Sequence, residues 1–233
     1  MHKSPWKVEV IFCLAETNHA YKINTLELRM NYDTLADQGT ITKTIEALKA
    51  RNVHPYFVQT KDEALTQVKS LLPQRAEVMT GGSTTLEQIG FVDLLKTKQH
   101  PWVNLKDAIL AETDEKKQTE LRQRSVLSDY FLGSVHAIAE TGEILVASAS
   151  GSQIPAYAFT SSNIVWVVGA QKIVPSLEEG FRRIKEYVYP REDKRMKATG
   201  AAGTVIGKYF IFEREIMPNR TISLILVNEK LGF

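Results

Sequence analysis

The chain has 233 residues, 43% of them hydrophobic and 24% charged, with a formal net charge of +2. That length supports one large domain with its own core, and so even a charge balance excludes a broad electrostatic footprint for nucleic acid or an anionic membrane surface. The single cysteine, Cys13, excludes an internal disulfide, an iron–sulfur cluster held by this chain and a structural zinc site of the cysteine type.

Residues 1–29 hold one strand-like run, Val8 to Leu14, and then a polar stretch without period. They are expected to be an N-terminal extension, with the α/β domain proper at 30–233. The opening apolar segment carries Glu9 and is followed by no good cleavage site, so export is not expected. The longest apolar runs, such as IVWVVG, are too short to cross a bilayer, and the expectation is a cytoplasmic protein with no membrane partner.

From Met30 the pattern becomes regular. Leu35, Ile41, Ile45 and Leu48 recur at helical spacing, which predicts a helix over 34–51. VHPYFVQT (53–60) reads as a short strand. Thr60 and Glu63 then form a capping box, Leu65, Val68 and Leu72 supply an apolar stripe, and Pro73 stops the helix. AEVMT is the next strand. It runs through MTGGSTTLEQIG into a helix expected to open at about Thr85, with Thr84 and Glu87 as its capping box. That helix is apolar on most sides, which predicts burial.

Residues 97–114 are less regular, and a helix is predicted over about 115–132 with Gly133 as its stop. HAIAETGEILVASAS reads as two strand pieces broken at Thr141–Gly142, and NIVWVV as a strand covered on both faces. Ser176 and Glu179 make a third capping box, for a helix striped by Leu177, Phe181, Ile184 and Val188 and ended by Pro190. KYFIFERE and TISLILVNE, separated by IMPNR, read as a C-terminal hairpin. The alternation predicts an α/β fold, a mainly parallel sheet flanked by helices.

Chemistry concentrates at a few places. A strand passing through small residues into a helix exposes backbone N–H donors, and with the helix dipole these favour an anion. Gly81 and Gly82 let a ligand approach the backbone, and Ser83, Thr84 and Thr85 add hydroxyls. An ordinary capped turn would use the same residues. The loop is not a P-loop, since no lysine follows the glycines, and GAAGTVIGKY (200–209) also fails that test. Glu140, before the Thr141–Gly142 break, is a candidate general base or ligand to a hydroxyl group; the bland alternative is a solvated turn. SASGSQIPA brings Ser150 and Gly151 after a strand, where open α/β sheets bind ligands, or else forms a surface loop. Lys172 is a candidate to balance the charge of a bound anion, although a lone lysine at an element's end is more often solvated. The histidines show no helical metal-pair spacing, and His136 opens an apolar run, as packed side chains do.

Taken in order, VMTGGSTTLEQIGFVDLL, HAIAETGEILVASASG and NIVWVVGAQKIVPSLEEGFRRIKEYVYPREDKR resemble the LUD (lactate utilisation) domain family, and NRTISLILVNEKLGF resembles the tail of its stand-alone members. The likeness runs from about Met30 to Phe233. It implies a fold like that of glucosamine-6-phosphate deaminases, ribose-phosphate isomerases and CoA transferases, with Gly81, Gly82, Ser83, Thr84 and Thr85 matching their anion-binding loop. The resemblance offers Glu140, before Thr141–Gly142, as a candidate counterpart of the CoA transferase glutamate nucleophile. The resemblance also implies a multi-protein lactate-oxidising system whose partner chains carry iron–sulfur clusters; with only Cys13, this chain is not of the cluster-bearing type. Three functions follow: a component of organic-acid metabolism that binds a small anionic metabolite, a self-sufficient isomerase or transferase using Glu140, or a non-catalytic scaffold. Substrate, other cofactors and homo-oligomer formation stay open.

Overall fold

The computed structural model describes residues 30–233; the expected extension at 1–29 lies outside them. In chain order the strands are β1 Val53–Val58, β2 Glu77–Thr80, β3 Val103–Asn104, β4 Tyr130–Gly133, β5 Ala137–Ala139, β6 Ile144–Ser148, β7 Asn163–Gly169, β8 Ile173–Val174, β9 Lys208–Phe212 and β10 Thr221–Val227. The helices are α1 Gln38–Ala50, α2 Lys61–Leu71, α3 Thr84–Gln88, α4 Phe91–Thr97, α5 Leu105–Ala111, α6 Glu115–Arg124, α7 Leu177–Arg183 and α8 Tyr189–Ala198.

The main sheet has six strands in the order β1-β10-β7-β4-β2-β3, and every neighbouring pair is parallel. A smaller sheet, β8-β5-β6-β9, mixes parallel and antiparallel pairs. The main sheet separates two apolar layers by the two-residue period of its strands. Ile164, Trp166 and Val168 of β7 join Ile222, Leu224 and Leu226 of β10 on one face, with Leu48 of α1 and Ile144 of β6. Val165, Val167, Ile225 and Val227 face the other way, onto Val68 of α2, Leu86 of α3 and Phe91 of α4. Burying each such side chain stabilises the fold by roughly 1.5–3 kcal/mol.

The helix starts follow capping chemistry. Thr60 Oγ1 accepts from the Glu63 amide at 3.2 Å, and Ser176 Oγ accepts from the Glu179 amide at 3.2 Å, as the two capping boxes predict. The box expected at Thr84 and Glu87 shifts by one residue. Ser83, not Thr84, is the cap and accepts from the Leu86 amide, because Ser83 keeps the extended backbone that a cap needs. That helix is also two pieces, since Gly90, at φ 80°, breaks α3 from α4. The first helix begins at Gln38 rather than residue 34 because Asp37 caps it.

Three expectations are corrected. The helix read over 115–132 ends at Arg124, and Tyr130–Gly133 is instead a strand of the main sheet between β2 and β7. A polar helix with no buried residue, α6, adjoins an apolar run that the sheet covers on both sides. Pro190 does not end the third capped helix. A π-helical segment over Ile184–Val188 re-registers the chain, and Pro190 falls in the first turn of α8, directly after that segment. Finally, β9 and β10 form no hairpin: β9 pairs antiparallel with β6, while β10 inserts between β1 and β7 of the other sheet.

Candidate functional site

The carboxyl ends of β2, β4 and β7 open onto a cavity of about 290 Å³, the place where open parallel sheets hold ligands. Its walls come from the loop 81–85 after β2, Ser134–His136 after β4, the 147–150 segment closing β6, and α8. Gly232 and Phe233 of the C-terminal tail also line it, held there by a bond from the Gly232 amide to Gln88 Oε1 at 2.6 Å.

Lys172 lies in this wall, only 2% exposed. Its Nζ contacts Thr85 Oγ1 at 3.3 Å, Ser134 Oγ at 3.1 Å and the Val135 carbonyl at 3.1 Å. None of these partners is a carboxylate. Burial, and secondarily the charge of Arg183, hold its amine well below the ordinary lysine value of 10.5. The three oxygens suit either protonation state: an ammonium donates to all three, and a neutral amine donates to the carbonyl while exchanging roles with the hydroxyls.

Beside it, His136 Nδ1 accepts from the Ala147 amide at 3.0 Å, which puts the proton of the neutral ring on Nε2. Burial, Lys172 and Arg183 push this imidazole down to about 3. Arg183 itself is fully buried and donates to the His136 carbonyl, while its Nε and Nη2 have no partner among the described residues. A buried guanidinium therefore lies under the cavity, and burial disfavours the protonated forms of both Lys172 and His136.

The loop 81–85 completes the wall. A Cβ added to Gly82 would meet nothing within 4 Å, and one on Gly81 only Gln153 Cβ at 3.9 Å. Neither glycine has positive φ. The backbone does not require glycine here, so what the missing side chains provide is open space in front of the amides. Helix α3 spans five residues, so its dipole adds little. Ser83 Oγ already accepts from the Leu86 amide but keeps its own proton to donate.

Of the residues singled out from sequence, the cavity brings together Gly81, Gly82, Ser83, Thr84, Thr85, Ser150 and Lys172. It does not include Glu140, Thr141, Gly142 or Gly151. Glu140 pairs with Lys43 of α1 at 2.8 Å. Thr141 and Gly142 form the β5–β6 turn, with the Thr141 carbonyl accepting from Arg51 Nε at 2.9 Å and Gly142 at φ 97° packed against Arg51. Gly151 serves a turn closed by a bond from its amide to Ser148 Oγ at 3.0 Å.

Sequence reasoning missed Ser134 and His136, because the strand before them had been read as the end of a helix; with β4 assigned, GSVH falls at a carboxyl end of the sheet. It also missed Glu192 and Arg195 of α8, joined in a two-point ion pair with both bonds at 2.7 Å at the cavity wall; the helical reach past Pro190 was the lost signal. No group of His, Cys, Asp and Glu side chains suited to a metal ion occurs among the described residues. No described helix is long and apolar enough to cross a membrane.

The family model for the LUD domain matches residues 41–227. A crystal structure of a DUF162 family protein from Deinococcus radiodurans is similar over 84% of this chain and 100% of that one, at 13% identity and a TM-score of 0.47. No curated protein matches.

Proposed function

This chain belongs to the LUD domain family, and from that premise we propose that it binds a small organic anion of lactate-type metabolism in the cavity at the carboxyl ends of β2, β4 and β7. Family membership suggests a lactate-utilisation-related role. The observation that carries the rest is Lys172, a buried amine on the cavity wall whose polar contacts are a carbonyl and two hydroxyls. An arriving carboxylate supplies the missing counter-charge and stabilises the protonated amine.

In this reading the carboxylate faces Lys172 and the Ser134 hydroxyl, the open backbone at Gly81–Gly82 gives it room, and Ser83 donates a further hydrogen bond. The His136 Nε2–H addresses a hydroxyl or carbonyl oxygen on the adjoining carbon. Redox chemistry belongs to partner chains that carry iron–sulfur clusters. Glu140 has no part in it, since it does not line the cavity and pairs with Lys43.

The test is calorimetric titration of L-lactate and pyruvate, with thermal unfolding in parallel. A ligand of the native state raises stability by about 2.7 kcal/mol at a hundred times its Kd. Lys172→Met should remove that stabilisation while leaving a folded protein. Equal stabilisation of the wild type and the variant would overturn the proposal.

A further inference from the structure

The bare strip Gly81–Gly82 has a cavity on each side. The second holds about 210 Å³ and shares Gly81, Gly82 and Gln153 with the first. Since a water's share of liquid volume is about 30 Å³, this space holds several waters or one small polyatomic anion.

Its composition differs from the first. Lys106 and Arg122 line it, with the hydroxyl residues Ser125 and Ser152 and an apolar floor that includes Met79 and Phe131. No acidic side chain lines it, whereas the arginine of the first cavity, Arg195, is neutralised by Glu192. Lys106 Nζ reaches only Thr80 Oγ1 at 3.3 Å and the Gly81 carbonyl at 3.4 Å. Both are long for an ammonium, which has three protons to donate. Burial draws this amine below the ordinary lysine value, and Glu87 acts the other way. Lys106 and the more exposed Arg122 line this cavity with no carboxylate among its lining residues, and an ammonium with a guanidinium suits a group with two negative charges and several acceptor oxygens, which is a phosphate.

We propose that the second cavity is a phosphate subsite, so that the physiological ligand is a phosphorylated carboxylic acid lying across Gly81–Gly82, its carboxylate at Lys172 and its phosphate at Lys106 and Arg122. The carboxylate half of this assignment rests on the proposed function; the phosphate half stands on the second cavity. The glycines then have a shared purpose. A side chain at Gly82 would project into open space, across the path that connects the two ends of the ligand.

The experiment titrates L-lactate, inorganic phosphate and 3-phosphoglycerate into the full chain and into Lys172→Met, Lys106→Met and Arg122→Gln, with circular dichroism to verify folding. The wild type should bind 3-phosphoglycerate at least tenfold more tightly than either single anion. Lys106→Met and Arg122→Gln should each weaken 3-phosphoglycerate by about tenfold to a hundredfold, the range for one charge-assisted hydrogen bond, and leave lactate unchanged. Full 3-phosphoglycerate affinity in both of these variants overturns the phosphate subsite and leaves the carboxylate site standing. Unchanged lactate affinity in Lys172→Met overturns the carboxylate site and leaves the phosphate subsite standing. Phosphate binding at Lys106 with 3-phosphoglycerate no tighter than phosphate overturns the single bridging ligand. Failure of the wild type to bind 3-phosphoglycerate or phosphate overturns the inference outright.

Discussion

Lys172 Nζ meets Thr85 Oγ1 at 3.3 Å across 87 positions of sequence. The contact ties the end of β7 to the loop after β2, with the end of β4 between them through Ser134. Three parallel strands thus deliver one lysine, two hydroxyls and a row of open amides to the same point, and the chemistry of the site depends on that convergence.

Lys172 has a folded value well below its ordinary 10.5. Between those two values the unfolded chain binds more protons than the native one, so stability rises with pH across the window up to about 10.5. Lys172→Met should remove this alkaline rise in the urea midpoint measured from pH 7 to 10. Lactate binding in that window should also take up a proton, visible as a buffer-dependent calorimetric enthalpy. Parallel pH curves for the wild type and the variant would contradict the lowered proton affinity of this amine.

His136 is displaced from 6.5 to about 3. Below about 6.5 the unfolded chain gains a proton that the native ring refuses, so stability falls as pH drops toward 3. In His136→Gln that part of the acid loss should vanish, because the amide oxygen can still accept from the Ala147 amide. Nitrogen chemical shifts of the wild-type ring should report the Nε2–H tautomer at pH 5; a charged imidazole there would refute the assignment.

Gly82→Leu tests space separately from backbone conformation. The position has no positive φ, and a Cβ there meets nothing within 4 Å, so stability should change by no more than about 0.5 kcal/mol. Ligand binding should be lost, because the leucine fills the room in front of the amides. A variant that binds as the wild type does would show that this strip is not the ligand's path.

Arg220 supports the cavity from behind. It pairs with Glu215 at 2.6 Å and donates to the carbonyls of Ala156, Tyr157, Ala158 and Ser161, all within 3.3 Å. Both partners are buried, and Tyr157 lines the cavity. Arg220→Met leaves a buried carboxylate unpaired, which costs roughly 3–5 kcal/mol. Arg220→Lys keeps the charge but not the forked geometry and should fall between. Chemical denaturation reads both, and a loss under about 1 kcal/mol for the methionine variant would mean the pair is not enclosed.

The amino-acid sequence by itself determined the local features. Thr60 and Ser176 had to start helices because a hydroxyl three residues before a free amide satisfies it wherever the chain goes. The run around Val165 had to be a covered strand because both its faces are apolar, and the Gly81–Thr85 loop is small and hydroxyl-rich in the sequence itself. Tertiary structure alone decided the rest. It set β10 between β1 and β7 instead of against β9, made Tyr130–Gly133 a strand, turned Glu140 toward Lys43, and enclosed Lys172 and His136 beside one another. Capping and periodicity are interactions over three or four residues, whereas strand partners and desolvation are set by groups distant in the chain, and a lysine's proton affinity follows from how deeply folding buries it and which charges it meets there.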